Sequence, residues 1–109
     1  QDAVAATGIW MEFDMIGMPY RYPREGQSPA PADTARAVAR LLDRGSGDRM
    51  LFSHDLFLKS MLSAFGGNGL SYVRTMFSER LADLGVGPDL IERIQVQNPR
   101  ALFECAAAH

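Results

Sequence analysis

The run LFSHDLF at residues 51–57 holds the residue types and spacing that point most directly to chemistry. Its apolar start predicts a short strand that stops at His54 and Asp55. A period of two puts Leu51, Ser53 and Asp55 on one face of this strand. The carboxyl ends of parallel strands are where α/β sheets and barrels place their functional groups. We therefore expect Asp55 to be an inward-facing carboxylate at a site.

His54 is the neighbouring group that could act as a metal ligand or a base. The same alternation turns His54 away from Asp55 and places it with Met50 and Phe52, the natural partners of an outer helix layer. We therefore favour a structural, hydrogen-bonded histidine over a catalytic one.

Two strands and a helix must position Asp55. Residues 9–14 alternate between apolar and polar, which predicts a strand, and residues 50–53 form the second strand. Residues 32–44 change to a helical period, with Asp33 or Thr34 as the expected cap and Gly45 as the stop. Its predicted buried face consists of Ala35, Val38, Leu41 and Leu42. Two strands joined by a helix predict a parallel pair with a right-handed crossover.

The first strand carries two carboxylates, Glu12 and Asp14, on the face opposite Ile9, Met11 and Phe13. Solvated edge positions explain them as well as polar groups inside a barrel near a site, and the sequence leaves both interpretations open.

The remaining segments are expected to connect and cover these strands. Residues 18–31 hold four prolines and predict a long irregular loop that could wall a pocket. Residues 56–65 suit a short helix with one buried stripe. The glycine-rich residues 66–69 are a plain turn rather than an anion loop, because no lysine-serine pair or helix start follows. Further helices are predicted over 71–84, from Pro88 to about Ile94, and in a short segment opened by Asn98.

Composition restricts the class of protein. The chain has 109 residues, 47% hydrophobic and 22% charged, which is typical of one globular domain. The net charge of −2 argues against nucleic acid as a partner. No apolar run approaches the roughly 18 residues of a membrane span. The single cysteine, Cys105, cannot form an internal disulfide, so a reducing cytoplasmic location is the default expectation.

Four motifs resemble the C-terminal part of phosphotriesterase-related proteins, in the resiniferatoxin-binding or phosphotriesterase-like branch of the amidohydrolase superfamily. They are EFDMIG at 12–17, LFSHDLFLK at 51–59, GGNG at 66–69 and NPRALF at 98–103. The resemblance implies an α/β fold, the C-terminal βαβα portion of a (β/α)8 TIM barrel. Residues 9–14 would be its strand seven and residues 50–55 its strand eight.

The resemblance also implies a function. Asp55 would bind one of two divalent metal ions, expected to be zinc, and accept a proton during hydrolysis of an ester, lactone or phosphotriester. The residues implied to shape an apolar substrate pocket are Met18, Tyr20, Tyr22, Phe57 and Leu58. A homodimer is left open.

The family's other metal ligands have no counterpart here. They are histidines and a bridging carboxylate or carboxylated lysine on other strands, whereas this sequence has only His54 and His109. Two parallel strands also leave both sheet edges open. We therefore expect residues 1–109 to be a fragment of one barrel domain, completed by the same or a complementary chain and inactive alone. A non-catalytic barrel that binds a small molecule, and an inert α/β module, are the alternatives.

Overall fold

The computed structural model describes residues 1–18, 21–24 and 26–107, apart from the side chain of Tyr22. The helices are α1 Asp2–Ala5, α2 Pro31–Asp43, α3 Ser78–Asp83, α4 Pro88–Glu92 and α5 Asn98–Ala107. The strands are β1 Met11–Phe13, β2 Arg21–Tyr22, β3 Gly26–Gln27 and β4 Met50–Phe52. A π-helical segment, Val73–Phe77, leads into α3, and another, Arg93–Gln97, joins α4 to α5. Short 3-10 turns lie at Gly47–Arg49, Lys59–Met61 and Ser63–Phe65.

β1 and β4 pair in parallel, with Met11 opposite Met50 and Phe13 opposite Phe52. The pairing continues one residue further, because the Ser53 N–H donates to the Phe13 carbonyl at 2.9 Å. α2 lies between the two strands in the chain. The predicted parallel β-α-β unit is therefore confirmed, although each strand is shorter than the sequence indicated.

α2 buries the four apolar residues that its period predicted: Ala35, Val38, Leu41 and Leu42. Its start differs from the prediction. Neither Asp33 nor Thr34 caps it; Ala30 is the N-cap residue and Pro31 the first helical residue. Proline suits that position because its fixed φ matches a helix and the missing N–H would have no partner there. Gly45 ends the helix as predicted, with a φ of +84°.

The core lies between α2, the strands and the helices that follow β4. Its largest fully buried side chains include Met50 of β4, Leu41 of α2, and Phe77, Leu81 and Ile94 from the later helices. Phe52 packs edge-on against Phe77, with ring centroids 5.4 Å apart. The core therefore sits on the face of β4 that presents Met50 and Phe52.

Two predictions for the loops were wrong. Residues 18–31 are not wholly irregular, because β2 and β3 pair there as a small antiparallel hairpin. Residues 56–65 form two separate 3-10 turns rather than one helix. The predicted buried stripe is also largely absent: Met61 is buried, whereas Phe57, Leu58 and Phe65 are 48%, 43% and 62% exposed.

The last helices run together where the sequence predicted a break before Asn98. The Asn98 backbone is helical, and its buried side-chain amide donates to the carbonyls of Gly47 at 2.6 Å and Met50 at 2.8 Å. Pro99 lies two residues after the end of the π-helical segment Arg93–Gln97. A wider turn at this point relieves the clash that proline makes with the carbonyl four residues earlier in a regular α-helix.

None of the helices in the described part of the chain is both long enough and apolar enough to cross a bilayer.

Candidate functional site at the carboxyl edge of the strands

Asp55 lies three residues beyond the last residue of β4, where the chain turns away from the sheet. Its backbone is left-handed, with a φ of +50°, and the residue is exposed. Two residues earlier, the backbone of Ser53 makes two hydrogen bonds. Its N–H donates to the carbonyl of Phe13, and its carbonyl accepts from the N–H of Ile16 at 3.1 Å. The carboxylate therefore stands at the carboxyl edge of a parallel pair, which is the location that the sequence predicted.

His54 turns toward the helices. Its Nε2 accepts a hydrogen bond from the backbone N–H of Val73, with the two nitrogens 3.1 Å apart. Burial lowers the pKa of the imidazole below its ordinary value of 6.5, which favours the neutral form. The structural, hydrogen-bonded role predicted for His54 is confirmed.

Glu12 and Asp14 are both exposed. Glu12 lies opposite Leu51 in the strand register, so it occupies the face of the sheet that the core does not cover. The Asp14 carboxylate accepts a hydrogen bond from the Met15 N–H at 2.8 Å. Asp14 thus stabilises the first turn after β1. For both carboxylates, a place in solvent and a place inside a barrel stay the two interpretations.

The loops after β1 and β4 meet at the same edge. Together they line a cavity of about 320 Å³ to which Met18 and Leu58, two of the predicted pocket residues, both contribute. Phe57 is half exposed beside Leu58. Tyr20 and the side chain of Tyr22, the other two, lie outside the part of the chain that the structure describes.

Asn68 is a residue of this edge that the sequence reading missed. Its side-chain amide donates to the Gly17 carbonyl and so connects the two loops. An asparagine between glycines was the available signal, but it predicts only a turn. The turn itself is as predicted: Gly66, Gly67 and Gly69 donate their N–H groups to nearby carbonyls of the same loop, and none of the three is left to bind an anion.

The described residues do not form a metal centre by themselves. Nowhere among them do three or more histidine, cysteine, aspartate or glutamate side chains come together as metal ligands could. A binuclear centre needs several such ligands around each ion. Asp55 therefore fits a metal site only as one ligand of a larger set.

A parallel β-α-β unit is typical of α/β proteins, and the candidate site, a carboxylate with the loops that line a cavity, lies at the carboxyl edge of this unit. The chain belongs to the Phosphotriesterase family, whose model matches residues 2–103. The family resemblance read from the motifs is confirmed.

Relatives match nearly the whole chain but only a part of themselves. The N-acetyltaurine hydrolase of Dictyostelium discoideum is 33% identical over 102 residues, which are 91% of this chain and 28% of that protein. A resiniferatoxin-binding protein from Rhodobacter sphaeroides has 43% identity and a TM-score of 0.86 over 93% of this chain and 28% of its own. The phosphotriesterase homology protein from Escherichia coli, solved with phosphate in its active site, has 29% identity and a TM-score of 0.73 over 90% of this chain and 32% of its own. The chain thus spans about a third or less of the length of these relatives.

Proposed function

We propose that this chain forms the C-terminal βαβα portion of a (β/α)8 barrel, with β1 as strand seven and β4 as strand eight, in a hydrolase of the Phosphotriesterase family. The parallel register of β1 and β4 supports this assignment. So does the structural match over nine-tenths of the chain but less than a third of the resiniferatoxin-binding protein.

Asp55 is the proposed metal ligand and proton acceptor of that hydrolase. The observation that carries this role is its place: an exposed carboxylate at the carboxyl edge of a parallel strand, in a strained backbone conformation. Such strain is concentrated at functional sites. The proposed enzyme depends on two divalent ions, with zinc expected, and its remaining ligands come from the rest of the barrel.

The bond that is cleaved belongs to an ester, a lactone, a phosphotriester or an amide. The first three follow from the family resemblance. Relatives named N-acetyltaurine hydrolase add the amide, since the name describes cleavage of an N-acetyl group. Met18 and Leu58, which share one cavity, are the proposed contacts for the apolar part of the substrate.

The decisive experiment substitutes Asp55→Asn in the protein with its full barrel. We expect hydrolysis to fall by about 10²–10⁴-fold, the range that a positioned acid or base contributes, with little change in the thermal unfolding midpoint. The matched control is Asp43→Asn, which makes the same change at an exposed carboxylate at the end of α2. Full activity in the Asp55→Asn protein would refute the catalytic role.

The second candidate is a barrel that binds a small apolar molecule without turning it over. The observation that favours it is the 43% identity to a resiniferatoxin-binding protein. In this case Phe57, Met61, Tyr20 and Tyr22 would contact the ligand. Calorimetric titration with an apolar ester would show binding without product, and Asp55→Asn would leave the affinity unchanged.

We further propose a cytoplasmic protein without a nucleic-acid or membrane partner, given the net charge of −2 and the single cysteine. A homodimer is the open alternative to a monomer.

A further inference from the structure

The two residues that precede Asp55 are both held by hydrogen bonds to other parts of the chain. We infer that His54 is a positioning residue for Asp55: by accepting the N–H of Val73, its imidazole fixes the end of the strand so that Asp55 keeps its left-handed backbone and its carboxylate keeps one place. This inference rests on the proposed function of Asp55.

The conformation of Asp55 needs an external constraint. A φ of +50° lies in a region that residues other than glycine visit uncommonly, with aspartate and asparagine among the more tolerant. Strained residues of this kind persist where the surrounding structure over-determines them. The question is therefore which contacts hold residues 53 to 55.

Two neighbouring residues supply these contacts, in opposite directions. Ser53 is bound to the β1 side, through Phe13 and Ile16, at 2.9 and 3.1 Å. His54 is bound to the helical side, through Val73 at 3.1 Å. Because one residue is fixed to the sheet and the next to the helix, the chain has little freedom left when it reaches Asp55.

The partner of His54 is itself well fixed. Val73 is 6% exposed and begins the π-helical segment, where N–H groups lack acceptors within the helix. His54 supplies the acceptor from 19 residues away in the chain. The next side chain on the same face of β4, Phe52, packs on Phe77 one helical turn further along. The end of β4 and the start of this helix therefore behave as one unit.

The contact also fixes the tautomer of the imidazole. A nitrogen that accepts a hydrogen bond carries no proton, so the proton of the neutral ring is on Nδ1. An uncharged acceptor of the same reach should therefore replace His54, whereas an apolar side chain of the same length should not.

The test compares His54→Gln with His54→Met in the full-barrel protein. Both side chains reach the ε position without branching at Cβ or Cγ, but only glutamine has an oxygen that can accept the Val73 N–H. We expect His54→Met to lower kcat by about 10–100-fold with KM within about threefold, because misplacing a reacting group by about 1 Å has effects of this size. His54→Gln should stay within about threefold of the parent in kcat.

A crystal structure of each variant gives a readout that does not depend on activity. The Asp55 φ should remain positive in His54→Gln and change in His54→Met. Equal kcat values in the two variants, or an unchanged Asp55 φ in His54→Met, would overturn the inference. Full activity of Asp55→Asn would instead refute the proposed function, and the Asp55 φ in the two His54 variants would still decide whether His54 positions it.

Discussion

His54 and Asn98 are polar side chains that connect the two ends of β4 to the helices behind it. His54 accepts from the N–H of Val73 near the end of the strand, and Asn98 donates to the Gly47 and Met50 carbonyls near its beginning. Both bonds lie in or beside the core, where an unmet hydrogen-bonding group is costly. Each side chain therefore allows a prediction about the stability of the protein that does not depend on its function.

Replacing Asn98 with alanine should lower the free energy of unfolding by roughly 2–4 kcal/mol, since a buried carbonyl left without its donor costs about 1–3 kcal/mol. Chemical denaturation of the full-barrel protein measures this change. Asn98→Asp keeps the shape but places a carboxylate oxygen against the two carbonyls, so it should destabilise at least as much. Parent-like stability of Asn98→Asp would show that the side chain fills space without donating.

The lowered pKa of His54 predicts how stability depends on pH. The unfolded chain takes up the histidine proton near pH 6.5, before the folded state does, so the contribution is complete above that value and is lost as pH falls toward the lowered pKa. Denaturation midpoints measured between about pH 5 and 8 should therefore fall less steeply toward acid in His54→Gln than in the parent protein. Identical profiles would contradict this assignment.

At the scale of elements, the loop after β1 is fitted closely to the helix start. Gly17 has a φ of +71°, and a Cβ at this position would lie 2.3 Å from ring carbons of Tyr72, which is itself only 3% exposed. The loop thus depends on a glycine for both its conformation and its packing.

Gly17→Ala should consequently destabilise the protein by roughly 2–4 kcal/mol, combining overpacking with left-handed strain. Gly45→Ala is the matched control: its φ is +84°, but no atom lies within 4 Å of the added Cβ. That substitution should cost only about 1–2 kcal/mol. Equal losses of stability in thermal or denaturant unfolding would mean that the contact with Tyr72 is unimportant.

The elements with strong periodicity could be predicted from sequence. The buried face of α2 follows from the helical period, and the parallel pairing follows from the helix that joins the two strands. The orientation of His54 toward the helices follows from strand alternation. The segment 56–65 could not, because its apolar residues read equally as a helical stripe and as loop residues facing a pocket, and two 3-10 turns result.

The candidate site was predictable only in part. The place of Asp55 after the end of β4 follows from the sequence pattern, but the hydrogen bond from Asn68 to Gly17 could not be predicted because it joins residues 51 apart in the chain. The helix start predicted at Asn98 was wrong for a different reason. Asn-Pro is a good helix start, but here the hydrogen bonds to the Gly47 and Met50 carbonyls hold the asparagine within a continuous helix.

At the scale of the whole molecule, the sheet of β1 and β4 is the least stabilised element. β1 and β4 pair only with each other in the described chain, so both outer edges offer unpaired backbone groups. Large apolar side chains are also exposed, among them Ile9 at 55%, Leu70 at 73% and Phe103 at 71%. Monomeric soluble proteins rarely expose extended apolar patches.

The 109-residue chain prepared alone is therefore expected to associate at micromolar concentration and to melt without a sharp cooperative transition. Light scattering across a dilution series and a thermal melt test this directly. A monodisperse monomer with a sharp transition would contradict it and would favour an autonomous α/β module.

The bonds of Asn98 have a consequence for synthesis in the cell. Asn98 lies 48 residues after Met50, the later of its two partners to be translated. On a translating ribosome, domains form as the chain emerges from its N-terminal side. The carbonyls of Gly47 and Met50 cannot receive these hydrogen bonds until the helix that carries Asn98 has left the exit tunnel, so β4 is held in place on this side only late in synthesis.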